Sequence, residues 1–187
     1  MIEKSIKYAK ALIRIIILKI RYKSKLKFKF SGIKSLYIGK GVRIKINKGN
    51  VLSFGNNVYI DDYCSFECIE GSIYVGDNTF FNTNNKIVSL KKISIGSNCL
   101  FGPNVGIFDH NHRYDINDVP IISQGYNTKE INIGNNIWIG CNCTITCGVK
   151  ICDKIVVAAN SVVTKNIISK GVYVESQANL LKAYKDK

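Results

Sequence analysis

From residue 133 to residue 163 the chain reads IGNNIWIGCNCTITCGVKICDKIVVAANSVV, and aliphatic residues recur there every six positions: Ile133, Ile139, Ile145, Ile151, Val157 and Val163. Four residues after each of these the side chain is again small or apolar, at Ile137, Cys143, Val149, Ile155, Ser161 and Ile167. A helix repeats every 3.6 residues and an extended strand every 2, so neither alone sustains a period of six. A short strand followed by a turn, repeated, does. Each lead residue then points inward and stacks on its equivalents in the adjacent coils. The same beat runs through Phe54, Ile60 and Phe66, through Val75, Phe81 and Ile87, and through Ile95, Phe101 and Ile107. Gly76-Asp77-Asn78, Gly96-Ser97-Asn98 and Gly134-Asn135-Asn136 supply turns that need unusual φ or close backbone approach. The predicted architecture is all-β, a thin prism of stacked coils.

The rhythm is regular up to Ile107 and again from Ile133, so residues 109–130 read as a loop ejected from the scaffold. Long loops on a repetitive scaffold are where function concentrates. This one holds both histidines of the chain, His110 and His112. Imidazole accepts a proton near neutrality, which suits either ring to general-base work. A neighbouring carboxylate, Asp109 or Asp115, could orient the ring, and the order of residues does not choose between them.

Four ordered stretches carry a more specific signal. They are Ile95-Gly96-Ser97-Asn98 through Pro103-Asn104-Val105, then Asp109-His110-Asn111-His112-Arg113, then Ile133-Gly134-Asn135-Asn136-Ile137-Trp138-Ile139-Gly140, then Ala159-Asn160-Ser161-Val162-Val163-Thr164-Lys165. In these the chain resembles the hexapeptide-repeat O-acetyltransferases, nearest the maltose, galactoside and streptogramin branch, over roughly Phe54 to Lys182. The resemblance implies a left-handed parallel β-helix, a homotrimer, and acetyl-coenzyme A as donor, lying in a groove between adjacent subunits. It implies direct transfer to a sugar hydroxyl, with His112 preferred over His110 as the base. It places Asn82, with Asn84, at the acceptor, and Trp138 against the pantetheine arm. Gly140 and Ala159 match positions where backbone approaches that arm, and Thr164 and Lys165 match the nucleotide end. Asn179 stands where the family usually has Arg, which leaves Lys182 as the nearest cation for a phosphate. The expected acceptor is a surface-polysaccharide precursor of the O-antigen, capsule or lipopolysaccharide type. A streptogramin antibiotic and an amine on a nucleotide sugar are the alternatives.

The chain has a net charge of +14, and all of the excess lies near its start: residues 1–50 carry fifteen Lys and Arg and one acid, Glu3, whereas residues 51–187 carry twelve of each sign. Residues 1–30 read as a basic amphipathic helical segment ahead of a 31–182 domain and a 183–187 tail. Ile2, Ile6, Ala9, Ile13, Ile17 and Ile20 line one side, and Lys4, Lys7, Lys10, Arg14 and Arg21 the other. Its longest uncharged stretch, Ile15 to Leu18, is too short to span a bilayer, and the lysines that follow do not suit a secretory leader. A cytoplasmic location is expected, with the segment either on the inner membrane face or packed on protein. The alternation from Lys25 to Phe30 equally describes a half-buried strand, and nucleic acid is not an expected partner.

Cys141, Cys143, Cys147 and Cys152 lack zinc-ligand spacing, and two histidines in one tetrapeptide cannot furnish the three-histidine site of a hydrolyase built on the same prism. No metal is expected. The non-enzymatic alternative is a membrane-surface adaptor.

Overall fold

The computed structural model of the 187-residue chain describes residues 2–28, 35–174 and 179–183. From Leu26 to Val174, short parallel strands wind into a three-faced β-solenoid. Face 1 stacks Leu26–Phe28, Leu52–Phe54, Ser72–Val75, Lys92–Ile95, Ile131–Ile133 and Lys150–Ile151. Face 2 stacks Leu36–Ile38, Val58–Ile60, Phe80–Phe81, Leu100–Phe101, Trp138–Ile139, Ile155–Val157 and Gly171–Val174. Face 3 stacks Arg43–Ile46, Ser65–Cys68, Lys86–Ser89, Gly106–Phe108, Thr144–Ile145 and Val162–Val163.

The period of six distributes one lead residue to each face in turn. Ile95 pairs with Ile133 and that with Ile151 on face 1, Phe101 with Ile139 and Val157 on face 2, and Ile107 with Ile145 and Val163 on face 3. All of these are buried, and so are Ile137, Cys143, Val149, Ile155, Ser161 and Ile167. Phe54, Phe66, Phe81 and Phe101 run up the axis in successive ring contacts of 5.4, 5.1 and 4.7 Å. The corners are held by asparagines in the left-handed region, among them Asn78, Asn98 and Asn136 at φ of 55°, 59° and 62°. Asn tolerates this conformation because its short side chain hydrogen-bonds locally. At Gly96 the reason for glycine is contact between coils, since a Cβ there would lie 2.5 Å from the carbonyl oxygen of Gly134.

The seven cysteines are free thiols. Cys64, Cys99 and Cys143 are buried at inward positions, where burial pushes their thiols above the ordinary range.

The N-terminal helix, Ile2–Tyr22, lies across the first turn and touches the end strand of every face. Arg14 donates to the Ile38 carbonyl at 3.1 Å, Lys19 to that of Leu26 at 2.8 Å, and the Tyr22 hydroxyl to that of Ile44. One expected boundary is corrected here. The helical segment does not run to residue 30: the α-helix ends at Tyr22, one 3-10 turn follows at Lys23–Lys25, and Leu26–Phe28 already pairs with Leu52–Phe54 as the first strand of face 1. The isoleucine side, which the sequence left open to protein or membrane, does not face the solenoid. Ala11 and Ile15 are buried against the solenoid with Leu18 and Tyr22 partly covered, while Ile6, Ile13, Ile17 and Ile20 are exposed. At the other end, Asn179–Ala183 turns back antiparallel on Gly171–Val174. Residues 184–187, most of the expected tail, lie outside the described residues.

Candidate active site

The break in the rhythm is a hairpin on the edge between faces 3 and 1. Directly after Gly106–Phe108 the chain leaves the solenoid as His110–His112, paired antiparallel with Tyr126–Thr128. The register sets His110 opposite Thr128 and His112 opposite Tyr126. Alternate residues of a strand share a face, so both imidazoles project to one side of this ribbon. The Tyr126 ring meets both, 5.5 Å from His110 and 4.6 Å from His112. Farther out, Gln124 holds the loop together by accepting from the Ile116 N–H at 3.0 Å and donating to the Val119 carbonyl at 2.7 Å.

Asp109 anchors the hairpin. Its side chain is fully buried, and its two carboxylate oxygens accept the backbone N–H groups of Leu90, Lys91 and Lys92 at 2.7, 2.9 and 2.8 Å and the Ser89 hydroxyl at 2.8 Å. A buried carboxylate is tolerated only when its lone pairs are taken up in this way. Its backbone carbonyl accepts from the Lys129 N–H at 2.9 Å and from the Cys147 thiol at 3.1 Å, which closes the base of the hairpin. The remaining direction of the carboxylate faces Nδ1 of His110 at 3.4 Å.

This geometry separates residues that were equivalent by sequence. Asp109 is the carboxylate beside a histidine, whereas Asp115 is exposed and paired with Arg113 at 3.2 and 3.3 Å. The contact holds Arg113 above and Asp115 below their ordinary protonation ranges. His110 is mostly buried and oriented, with only its other nitrogen left for a substrate. His112, the histidine preferred by resemblance, is exposed and has Tyr126 as its ring neighbour.

Most of the other candidates fall on the opposite edge of face 3. Asn82 and Asn84 sit at the corner between faces 2 and 3, and both side chains serve that corner. Asn82 accepts from the Thr83 N–H at 2.7 Å, and Asn84 donates to Asn104 at 2.7 Å as the start of a ladder through Asn142 and Asn160. Trp138 projects from face 2 in a row formed by Tyr37, Tyr59, Phe80, Leu100, Trp138 and Val156. Leu100 is 51% and Trp138 54% exposed, two large apolar groups side by side in water. Gly140 lies at the same corner as Ala159, where its Cβ would come within 2.5 Å of the Ala159 nitrogen. Thr164 and Lys165 are exposed on the edge that also ejects the hairpin. One chain therefore sets His110, Thr164 and Lys165 along one edge and Asn82, Trp138, Gly140 and Ala159 along the next, with face 3 between them. The side chain of Lys182 lies outside the described residues.

A groove of about 650 Å³ runs along the outside of face 3, lined by Arg43, Tyr63, Glu67, Asn84, Lys86 and Val88. Val88 is paired with Phe108, whose ring lies 6.2 Å from that of His110, so the groove leads toward the histidine. Tyr126, Ser89 and Tyr63 carried no sequence signal: the first two reach the site only through register and coil stacking. Among the described residues, no group of three or more His, Cys, Asp or Glu is placed to hold a metal ion.

A family model described as hexapeptide repeat of succinyl-transferase matches residues 92–107 and 130–165. WbbJ of Escherichia coli K12, whose name assigns it to lipopolysaccharide biosynthesis as an O-acetyl transferase, is 32% identical over 146 residues, covering 74% of this chain and 72% of that protein. Galactoside O-acetyltransferase of the same organism is 34% identical over 122 residues, covering 63% of this chain and 59% of the enzyme. The crystal structure of the hexapeptide-repeat acetyltransferase VCA0836 of Vibrio cholerae, complexed with acetyl-coenzyme A, superposes with a TM-score of 0.57 at 28% identity, covering 79% of this chain and 73% of that one. The chain spans 52%, 49% and 59% of the length of three of the curated relatives it matches, so about half of each.

Proposed function

The chain belongs to the hexapeptide-repeat acyltransferases, and on that premise we propose that it transfers an acetyl group from acetyl-coenzyme A to a sugar hydroxyl, with His110 as general base. The observation that carries this reading is the fixed imidazole. Asp109 is immobilised by four hydrogen bonds from residues 89–92 and faces Nδ1 of His110, which leaves Nε2 to take a proton. In the transfer, Nε2 accepts the proton of the acceptor hydroxyl as its oxygen attacks the thioester carbonyl. The tetrahedral intermediate then expels the coenzyme A thiolate, which recovers that proton from the imidazolium. Asp109 keeps the ring in the tautomer that presents a free Nε2 and stabilises the imidazolium between the two steps.

The groove on face 3 suits a saccharide, because Tyr63 offers an aromatic platform while Arg43, Glu67 and Lys86 offer hydrogen-bonding groups for hydroxyls. The name of WbbJ supports a surface-polysaccharide precursor as the acceptor. The division of candidate residues between two edges supports a homotrimer, in which the Trp138 edge of one copy meets the His110 edge of the next and the donor lies between them. Exposed Leu100 and Trp138 are the apolar surface such a contact would cover.

The test is thiol release from acetyl-coenzyme A with a panel of sugar acceptors. His110→Ala is expected to lower kcat/KM by roughly 10²- to 10⁴-fold, the usual worth of a general base. His112→Ala is expected to change it less than about tenfold. The reverse ranking would overturn the assignment of the base.

A further inference from the structure

The helix Ile2–Tyr22 has an apolar surface that the solenoid does not use. Ala11, Ile15, Leu18 and Tyr22, at spacings of four, three and four, face the first turn. On the opposite side, Ile6, Ile13, Ile16, Ile17 and Ile20 are each 47 to 70% exposed, and Ala9 is exposed among them. From Ile6 to Ile20 this row extends about 21 Å at the helical rise of 1.5 Å per residue. Packing against the solenoid therefore turns the isoleucine row away from the protein, off the end of the prism. A contiguous aliphatic surface of this kind on a soluble fold marks a contact site.

Its flanks identify the occupant. Exposed Lys10 and Arg21 border the row on one side, exposed Lys23 follows directly past the helix end, and Glu3 is the one acid within residues 1–50. A second copy presenting the same surface would set one basic helix against another. A nucleic acid would answer the charge and leave the isoleucines in water. An anionic lipid surface answers both, since the isoleucines enter the acyl boundary while the basic flanks meet the headgroups. No helix among the described residues is long and apolar enough to cross a bilayer, so this one would lie in the plane of the interface.

We propose that the outward face of the N-terminal helix, built on Ile6, Ile13, Ile16, Ile17 and Ile20, docks the enzyme flat onto an anionic bilayer with the solenoid axis pointing away from it. The proposal does not depend on the acetyl-transfer reading, because binding is measured without turnover.

Flotation of the full chain with phosphatidylcholine vesicles, and with equimolar phosphatidylcholine and phosphatidylglycerol vesicles, tests it. The chain is expected to float with the anionic vesicles, to bind the neutral ones at least tenfold more weakly, and to release as salt is raised. Ile13→Ser combined with Ile17→Ser should lower anionic binding at least tenfold with an unchanged melting temperature and an unchanged mass in light scattering. Lys10→Gln combined with Arg21→Gln should weaken binding severalfold and flatten its salt dependence. Failure of the parent chain to float overturns the proposal, and so does equal binding by the serine variant. A serine variant with reduced mass in solution would assign the face to a second copy instead.

Discussion

Asp109 lies only one residue from His110 in sequence, yet its hydrogen bonds reach back 17 to 20 residues, to the preceding turn of the solenoid. It is a strut and, in the proposed mechanism, a positioning group as well, and the two roles can be separated. Asp109→Asn keeps the shape but puts an NH₂ where N–H donors converge, which leaves at least one of them unsatisfied at a cost of about 1–3 kcal/mol. The expected result is a lower urea midpoint together with a changed pH profile for kcat, because Nδ1 of His110 has lost its anionic neighbour. A shift in the midpoint with an unaltered pH profile would leave Asp109 a strut only. The buried thiols make a second prediction at this scale. Burial pushes Cys64 and Cys99 up to about 11 and Cys68 up to about 12, from an ordinary 9.0. The folded chain thus holds these protons more tightly than the unfolded chain does, so their contribution to stability is complete below pH 9 and declines as pH rises toward 11. Urea titrations at pH 8 and 10.5 should show that decline, and replacing Cys64, Cys68 and Cys99 together with Ala should make it shallower.

Among the elements, the N-terminal helix shows how little amphipathic spacing says about which side is buried. Its isoleucines had the regular spacing of three and four, but the solenoid end offers a surface bounded by Leu26, Ile38 and Ile44, and the side that fits carries Ala11, Ile15 and Tyr22. A small residue at Ala11 allows close approach, and carbonyls at the ends of the first strands take up Arg14, Lys19 and the Tyr22 hydroxyl. Burial on one side and exposure on the other predict opposite costs for similar truncations. Ile15→Ala should destabilise the chain by about 2 kcal/mol, the low end for a large-to-small change in a core. Ile17→Ala should stay within about 0.5 kcal/mol, as expected for a surface site. Chemical denaturation of the two variants makes the comparison, and equal losses would mean that the isoleucine row is covered. The hairpin followed the opposite course: its existence and limits were legible because residues 109–130 break a regular rhythm, while the inequality of its two histidines was not.

For the whole molecule, exposed Leu100 and Trp138 on face 2 and the two-edge division of candidate residues make an assembly prediction. Light scattering should give three times the 20.9 kDa chain mass. Leu100→Asp should lower that mass and raise KM for acetyl-coenzyme A several-fold, whereas a monomeric parent chain with full activity would refute the shared site. The solenoid was readable from Ile133 to Val163 because a coil repeats the same local demand: one inward aliphatic residue every six positions, small residues at the corners, and no partner beyond the neighbouring copy of the motif. Such a demand is written out in full along the chain. Three further features took the folded coordinates to decide: that Asp109 rather than Asp115 faces an imidazole, that His110 rather than His112 receives it, and that the helix turns its isoleucines outward. Each depends on contacts between residues far apart in sequence, whose geometry is set by how successive turns stack, and no local pattern of side chains encodes that distance.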